Sequence, residues 1–301
     1  MSLQLSILQT IAFFDIFDFP LTAEEIQEYL YNYKKPIHIK EIKGTLGQMD
    51  RIERLHDYYV LKGRGKLVDV RKARKFIAEK FWGRVRQYGQ YIVKVPFVEM
   101  VAICNNLAYD NPTELSDIDL FIVIKEGRMW IARLIISLIL HFHGVRRYAD
   151  KIAGRFCLSF FVTPKKLNMN PLLLTPEDPY MAYWTKLIMP IYGEETYKRF
   201  IDENRVWLEK SYGLKFSEKA KKQFGFHPKS VSKSFWEFVL NGFIGNLIEL
   251  FLKKTFKKHT LKKSERLSHE ANVIVSDDML KFHNHDRRNE YLDKWKKLIN
   301  N

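Results

Sequence analysis

Two aspartates one residue apart, Asp117 and Asp119, stand at the head of an apolar run in the stretch VAICNNLAYDNPTELSDIDLFIVI, residues 101–124. On a β-strand, residues i and i+2 project from one face. The two carboxylates therefore point the same way, with Ile118 on the opposite side. Side by side they repel, and each raises the pKa of the other unless a cation is held nearby. Carboxylates together with phosphate oxygens form the ligand set that Mg²⁺ favours. Two such ions activate an attacking hydroxyl and neutralise the charge on a departing pyrophosphate. The plainer alternative is a solvated strand end, each carboxylate meeting water or a backbone N–H. Residue type and spacing leave both readings open.

Other side chains with chemical potential are scattered. His141 and His143 precede Arg146 and Arg147, but two histidines two apart on a helix diverge, so chelation by that pair is poor. His283, His285, Asp286 and Arg288 form a denser polar cluster in KFHNHDRR, where a metal would need ligands from elsewhere. A docked tail is the alternative there. Lys253, Lys254, Lys257 and Lys258 in LKKTFKKHTLKK read as a solvated face, a track for a phosphate backbone, or a membrane-surface helix. Cys104 and Cys157 each lie inside an apolar run and read as small buried hydrophobes of a reducing compartment, not as a disulfide or metal site.

The chain that must position these groups has 301 residues, enough for two domains or three small ones. Hydrophobic residues make up 46%, which supplies a core and argues against wholesale disorder. Fifty Lys and Arg against 35 Asp and Glu give a formal charge of +15. That excess favours an anionic partner: nucleic acid, nucleotide phosphates or an acidic membrane surface. MSLQLSILQT carries no basic stretch of a secretion signal, and the apolar segments are short for a membrane span. The expectation is a soluble, cytoplasmic protein.

The pattern predicts an α+β fold in three regions. Residues 1–69 read as helices at 3–14, from Thr22 (with Glu25 completing a capping box), and at 38–55, then a hairpin around Gly63-Arg64-Gly65. Three helices and a hairpin are similar to a winged helix-turn-helix, which would either contact nucleic acid through its basic tip, Lys62, Arg64 and Lys66, or serve protein contacts alone. Residues 70–175 read as a long helix to about 93, then strand 98–104, strand 118–124, helix 128–142 and strand 155–162, a mixed sheet with helices. Residues 176–301 read as helical: 177–212, a lysine-rich linker, 231–258, and a pattern near 287–299.

CNNLAYDNPTELSDIDLFIVI resembles the core motif of the polymerase β-like nucleotidyltransferase superfamily, in the bacterial type with an N-terminal winged helix. There a strand ends in Gly-Ser on a turn into a short helix, and Asp-x-Asp follows roughly ten residues later. The resemblance implies that Asp117 and Asp119 bind Mg²⁺ (or Mn²⁺), and that Asn105, Asn106 and Ser116 lie at the site of a nucleoside triphosphate. It further implies transfer of a nucleoside monophosphate to an acceptor hydroxyl. Two departures stand out: Asn105 and Asn106 replace Gly-Ser, and Ser159 falls where the third carboxylate is expected, with Asp150 and Glu99 as the acids nearest to hand. The alternative is a fold kept for nucleic-acid binding or regulation after loss of turnover.

Overall fold

The computed structural model describes residues 1–216, 225–226, 231–264, 272–283 and 286–300. Its centre is a six-stranded sheet in the order β7-β4-β5-β6-β9-β8. Strands β4 (Val98–Ile103) and β5 (Ile118–Ile124) are antiparallel, whereas β5 and β6 (Phe156–Val162) are parallel. A parallel neighbour needs a crossover. Helix α5 (Met129–Phe142) supplies it, and the mixed α+β class follows.

The alternation of β5 sorts the core. Ile118, Leu120, Ile122 and Ile124 enter one apolar cluster with α5 and the long helix α4 (Leu67–Ile92). Helix α4 presents Ala78, Phe81, Val85 and Ile92 to that cluster at helical spacing. Phe121 and Val123 enter a second cluster on the other face, with α6 (Pro179–Leu187) and α7 (Glu194–Tyr212). By the same alternation Asp119 shares the face of Phe121 and Val123, just beyond the apolar fill.

The N-terminal region contains α1 (Leu3–Asp15), β1 (Leu21–Thr22), α2 (Ala23–Glu28), α3 (Ile39–Leu46), β2 (Ile52–Leu55) and β3 (Tyr58–Leu61), its strands ordered β1-β3-β2. The capping box forms as read: Thr22 Oγ1 accepts from Glu25 N at 3.2 Å, and Glu25 Oε2 accepts from Thr22 N at 2.9 Å. The third helix stops at Leu46, not at 55, because Ile52-Glu53-Arg54-Leu55 pairs with β3. The hairpin turns at His56 and Asp57, with His56 at φ 55°. It does not turn at Gly63–Gly65, which link β3 to α4. Lys62, Arg64 and Lys66 are therefore not the hairpin tip. Lys62 and Lys66 are exposed, while Arg64 turns back to Asp15 (3.2 Å) and Asp18 (2.9 Å).

The C-terminal region is not only helical, for it contributes β7 (Met189–Tyr192), β8 (Asn272–Val275) and β9 (Met279–His283). Strand β7 pairs with β4 and divides the 177–212 segment into α6 and α7. The 231–258 helix is two helices, α8 (Val231–Asn241) and α9 (Phe243–Ser264), bent by 82° at Gly242. Helix α10 (Arg288–Asn300) returns to the N-terminal region, where Trp295 is buried and donates to Gln9 O at 2.8 Å. No single helix among the described residues is long and apolar enough to cross a membrane.

Candidate active site

The site sits where β4 ends and β5 begins. After Cys104 the chain enters a short 3₁₀ helix, Asn105–Tyr109, with Asn105 in the left-handed region at φ 56°. Asparagine tolerates that conformation better than most residues. The turn aims its side chain across the strand pair, so that Asn105 Nδ2 donates to Asp119 Oδ2 at 2.7 Å. Asn106 faces its own helix and accepts from Tyr109 Oη at 3.0 Å. The Ser116 hydroxyl closes the loop before β5, accepting from Thr113 N at 2.9 Å, and is engaged away from the paired carboxylates.

Each aspartate has a distinct partner. Asp117 Oδ2 accepts a 2.5 Å charge-assisted hydrogen bond from Arg147, which reaches in from the loop before β6. Asp119, partly buried, takes Asn105. Burial first, and then the neighbouring Asp117 charge, push the Asp119 carboxyl up to about 7; the Asn105 bond and Arg147 pull the other way. Arg147 also lies 3.4 Å from Cys157 Sγ. Arg146 and Arg147 read from sequence as residues favoured at a helix end. Nothing local marked Arg147 as the partner of a carboxylate thirty positions earlier.

Cys157, not Ser159, is the β6 residue in register with Asp119. Asp117, Asp119 and Cys157 each offer a ligand atom within 4.8 Å of the others, a group that could hold a metal ion. The reading of Cys157 as a plain hydrophobe needs that addition, although the residue is buried as expected. Burial, then the Asp119 and Asp117 charges, push its thiol well above the usual range. Ser159 is buried one strand repeat further along. Glu99 belongs to the far end of β4, where Val98 pairs with Ile124, and Asp150 is an exposed turn residue outside the group. Among the described residues no third carboxylate joins the pair.

A cavity of about 250 Å³ opens on Asp119, Asn105 and Asn106. Phe17, Tyr109, Tyr180, Trp184 and Tyr291 are among its walls. The aromatic walls come from four separate segments of the chain, so the sequence showed only isolated aromatics. Asn105, Tyr180, Trp184 and Tyr291 also line an adjoining chamber that carries Lys281, Arg287 and Arg288. Lys281 is buried, and burial pulls its ammonium down to about 8. Arg288 is buried between Asp178 (3.1 Å) and Asp286 (2.7 Å), which makes Asp286 and Arg288 a structural ion-pair network. The His283 side chain and His285 lie outside the described residues.

The remaining candidates do not converge on this site. His143 stacks on Tyr91 at 4.6 Å, while His141 lies beside Tyr148, so the two diverge. Lys253 and Lys257 approach Asp277 at 2.7 and 3.9 Å, Lys254 is exposed, and the Lys258 side chain lies outside the described residues. No protein-family model, curated protein or solved structure matches the chain.

Proposed function

We propose that the protein is a nucleotidyltransferase of the polymerase β-like type, acting with Mg²⁺ or Mn²⁺ on a nucleoside triphosphate. The observation that carries this reading is the placement of Asp117 and Asp119. They share one face at the start of β5, beside the turn that ends the antiparallel β4, and Asp119 lines an aromatic cavity. The order β4, short helix, β5, crossover helix, parallel β6 supports the same reading. So does the N-terminal order of three helices with a β1-β3-β2 sheet, an order compatible with the expected winged helix.

The donor set fits a cation in part. Two carboxylates are hard oxygen ligands suited to Mg²⁺, whereas a neutral buried thiol is a poor one. Asp117 and Asp119 would hold the ion, which when bound screens the triphosphate and the pyrophosphate that leaves. The protein's own contribution is positioning. Asn105 fixes Asp119, aromatic walls suit a planar base, and Lys281 and Arg287 in the adjoining chamber suit an anionic part of the ligand. An acceptor hydroxyl then gives its proton to solvent and bonds to the α-phosphorus, the bond from the α-phosphorus to the bridging α–β oxygen breaks, and pyrophosphate departs with that electron pair. The +15 charge favours nucleic acid as the acceptor class.

A second reading has its own observation. Arg147 is bonded to Asp117, and Cys157 with Ser159 occupies the strand from which a further acid is expected. That combination favours a protein that keeps the fold and binds nucleic acid without turnover. Incubation with labelled nucleoside triphosphates, Mg²⁺ or Mn²⁺, and total RNA or cell extract separates the two. Nucleotidyl transfer predicts pyrophosphate release that is lost in Asp117→Ala/Asp119→Ala. Release no greater than in that control, with salt-sensitive nucleic-acid binding retained in Asp119→Ala, selects the second reading.

A further inference from the structure

Helices α8 and α9 are inverted with respect to ordinary surface helices. Three of their charged side chains, Lys233, Glu237 and Glu249, face the protein. Lys233 Nζ donates to Val98 O at 2.6 Å, Glu237 accepts from Phe97 N at 2.8 Å, and Glu249 accepts from Trp130 N and Ile131 N at 2.8 and 2.9 Å. Arg128 holds the corner between the helices by donating to Leu240 O and Asn241 O. Leu252 is buried and Leu240 and Phe256 pack against the core, but most other apolar side chains of the two helices face out. Of the twenty large apolar residues exposed among those described, ten lie between Val231 and Phe251. Phe238 is 84% exposed, Phe243 76% and Phe251 68%, with Phe235, Trp236 and Leu247 beside them in sequence. Scattered exposed apolar residues are ordinary; such a concentration marks an interaction surface.

We propose that this surface seats the protein on an anionic lipid bilayer, as a peripheral attachment that does not cross it. Three observations choose the lipid. Helix α8 has 11 residues and is about 16 Å long. The apolar part of α9 is no longer, and the 82° bend keeps the two from forming one straight span. Each is suited to lie in the interface and immerse one apolar side, against the ~30 Å needed to cross. Trp236, half exposed among aliphatic and phenyl side chains, has the amphipathic ring that settles at the headgroup level. Charge then decides between occupants. A cationic tract follows the apolar surface along α9, from Lys253 and Lys254 to Lys257, and the sequence continues it with Lys258, Lys262 and Lys263. Asp277 offsets part of it, through Lys253 and Lys257. A second copy brings the same +15 charge and works against that tract, whereas anionic headgroups work with it.

The test is co-sedimentation of the full chain with vesicles of phosphatidylcholine alone, and of phosphatidylcholine and phosphatidylglycerol in equal parts. Binding to the anionic vesicles is expected, weakened by salt and at least tenfold weaker on neutral vesicles. Phe238→Asp/Phe243→Asp/Phe251→Asp is expected to abolish it with an unchanged melting temperature. The single substitutions Phe238→Asp and Phe243→Asp carry the same comparison should the triple variant fold poorly. Asp117→Asn/Asp119→Asn is expected to bind vesicles like the wild type, which keeps this result separate from the nucleotide reading. Absence of binding at low salt, equal binding to both vesicle types, or binding indifferent to the aromatic substitutions would overturn the proposal. A stable dimer in solution that the triple variant dissociates would assign the surface to a second copy instead.

Discussion

Arg147 stands where electrostatics asks for a positive charge beside two same-face carboxylates, at 2.5 Å from Asp117. A cation that uses Asp117 must compete with that guanidinium. A hydrogen bond to a charged group contributes ~1.5–3 kcal/mol, so Arg147→Gln is expected to tighten Mg²⁺ binding about tenfold. Calorimetric titration checks this, and unchanged affinity would argue that metal and arginine do not share the carboxylate. Asp119 gives a pH signature. Its carboxyl rises from 3.8 to about 7 on folding, chiefly by burial. Between those values the folded state holds a proton that the unfolded state has released. Its stabilisation is therefore complete below pH 3.8 and is lost as pH rises through about 7, by at most ~4 kcal/mol. Asp119→Asn is expected to flatten that part of the stability profile in urea titrations without metal. An unaltered slope would place the proton elsewhere. The aspartate pair was legible because the period of a strand fixes the face of residues i and i+2. Arg147 and Cys157 were not, since their meaning comes from the pairing of β5 with β6.

At the scale of elements, the placement of α9 depends on a carboxylate rather than on apolar packing alone. Glu249 is buried and accepts the first N–H groups of α5. Anionic acceptors at a helix start satisfy orphan donors and oppose the helix dipole. Glu249→Ala is expected to cost about 2 kcal/mol, seen as a lower denaturant midpoint, and Glu249→Gln roughly half that because one acceptor remains. Equal stability of all three proteins would mean that α5 does not need the cap. Element boundaries show where sequence patterns mislead. Ile52-Glu53-Arg54-Leu55 continues a helical spacing from α3 and lacks strand alternation, yet pairing with Tyr58–Leu61 makes it a strand. The glycines at 63 and 65 are stronger turn signals than His56-Asp57, yet the chain turns at the latter. Strands β8 and β9 are short apolar runs in a charged tail, and only the exposed edge of β6 gives them a place.

For the whole molecule, the two apolar clusters on either face of the sheet leave one aspartate-bearing face open between the N-terminal helix, α6 and α10. The α+β class was legible from the alternating runs of the middle third. The cavity was not, because its walls come from residues 13–17, 105–109, 180–187 and 291. The +15 charge predicts nucleic-acid binding that weakens steeply with salt, and filter binding across a salt series measures it; a flat dependence would leave the charge without that partner. The proposed function stands or falls with a metal-nucleotide site at Asp117 and Asp119. Thermal unfolding of the wild type and of Asp117→Asn/Asp119→Asn, each with and without millimolar Mg²⁺ and a non-hydrolysable nucleoside triphosphate, tests it most directly. A ligand at a hundred times its Kd adds ~2.7 kcal/mol, or roughly 4 °C for a chain of this length. That rise is expected in the wild type and is lost in the double variant, whose melting temperature without ligand stays at or above the wild type's. An unshifted wild type, or an equal rise in both proteins, would contradict that site.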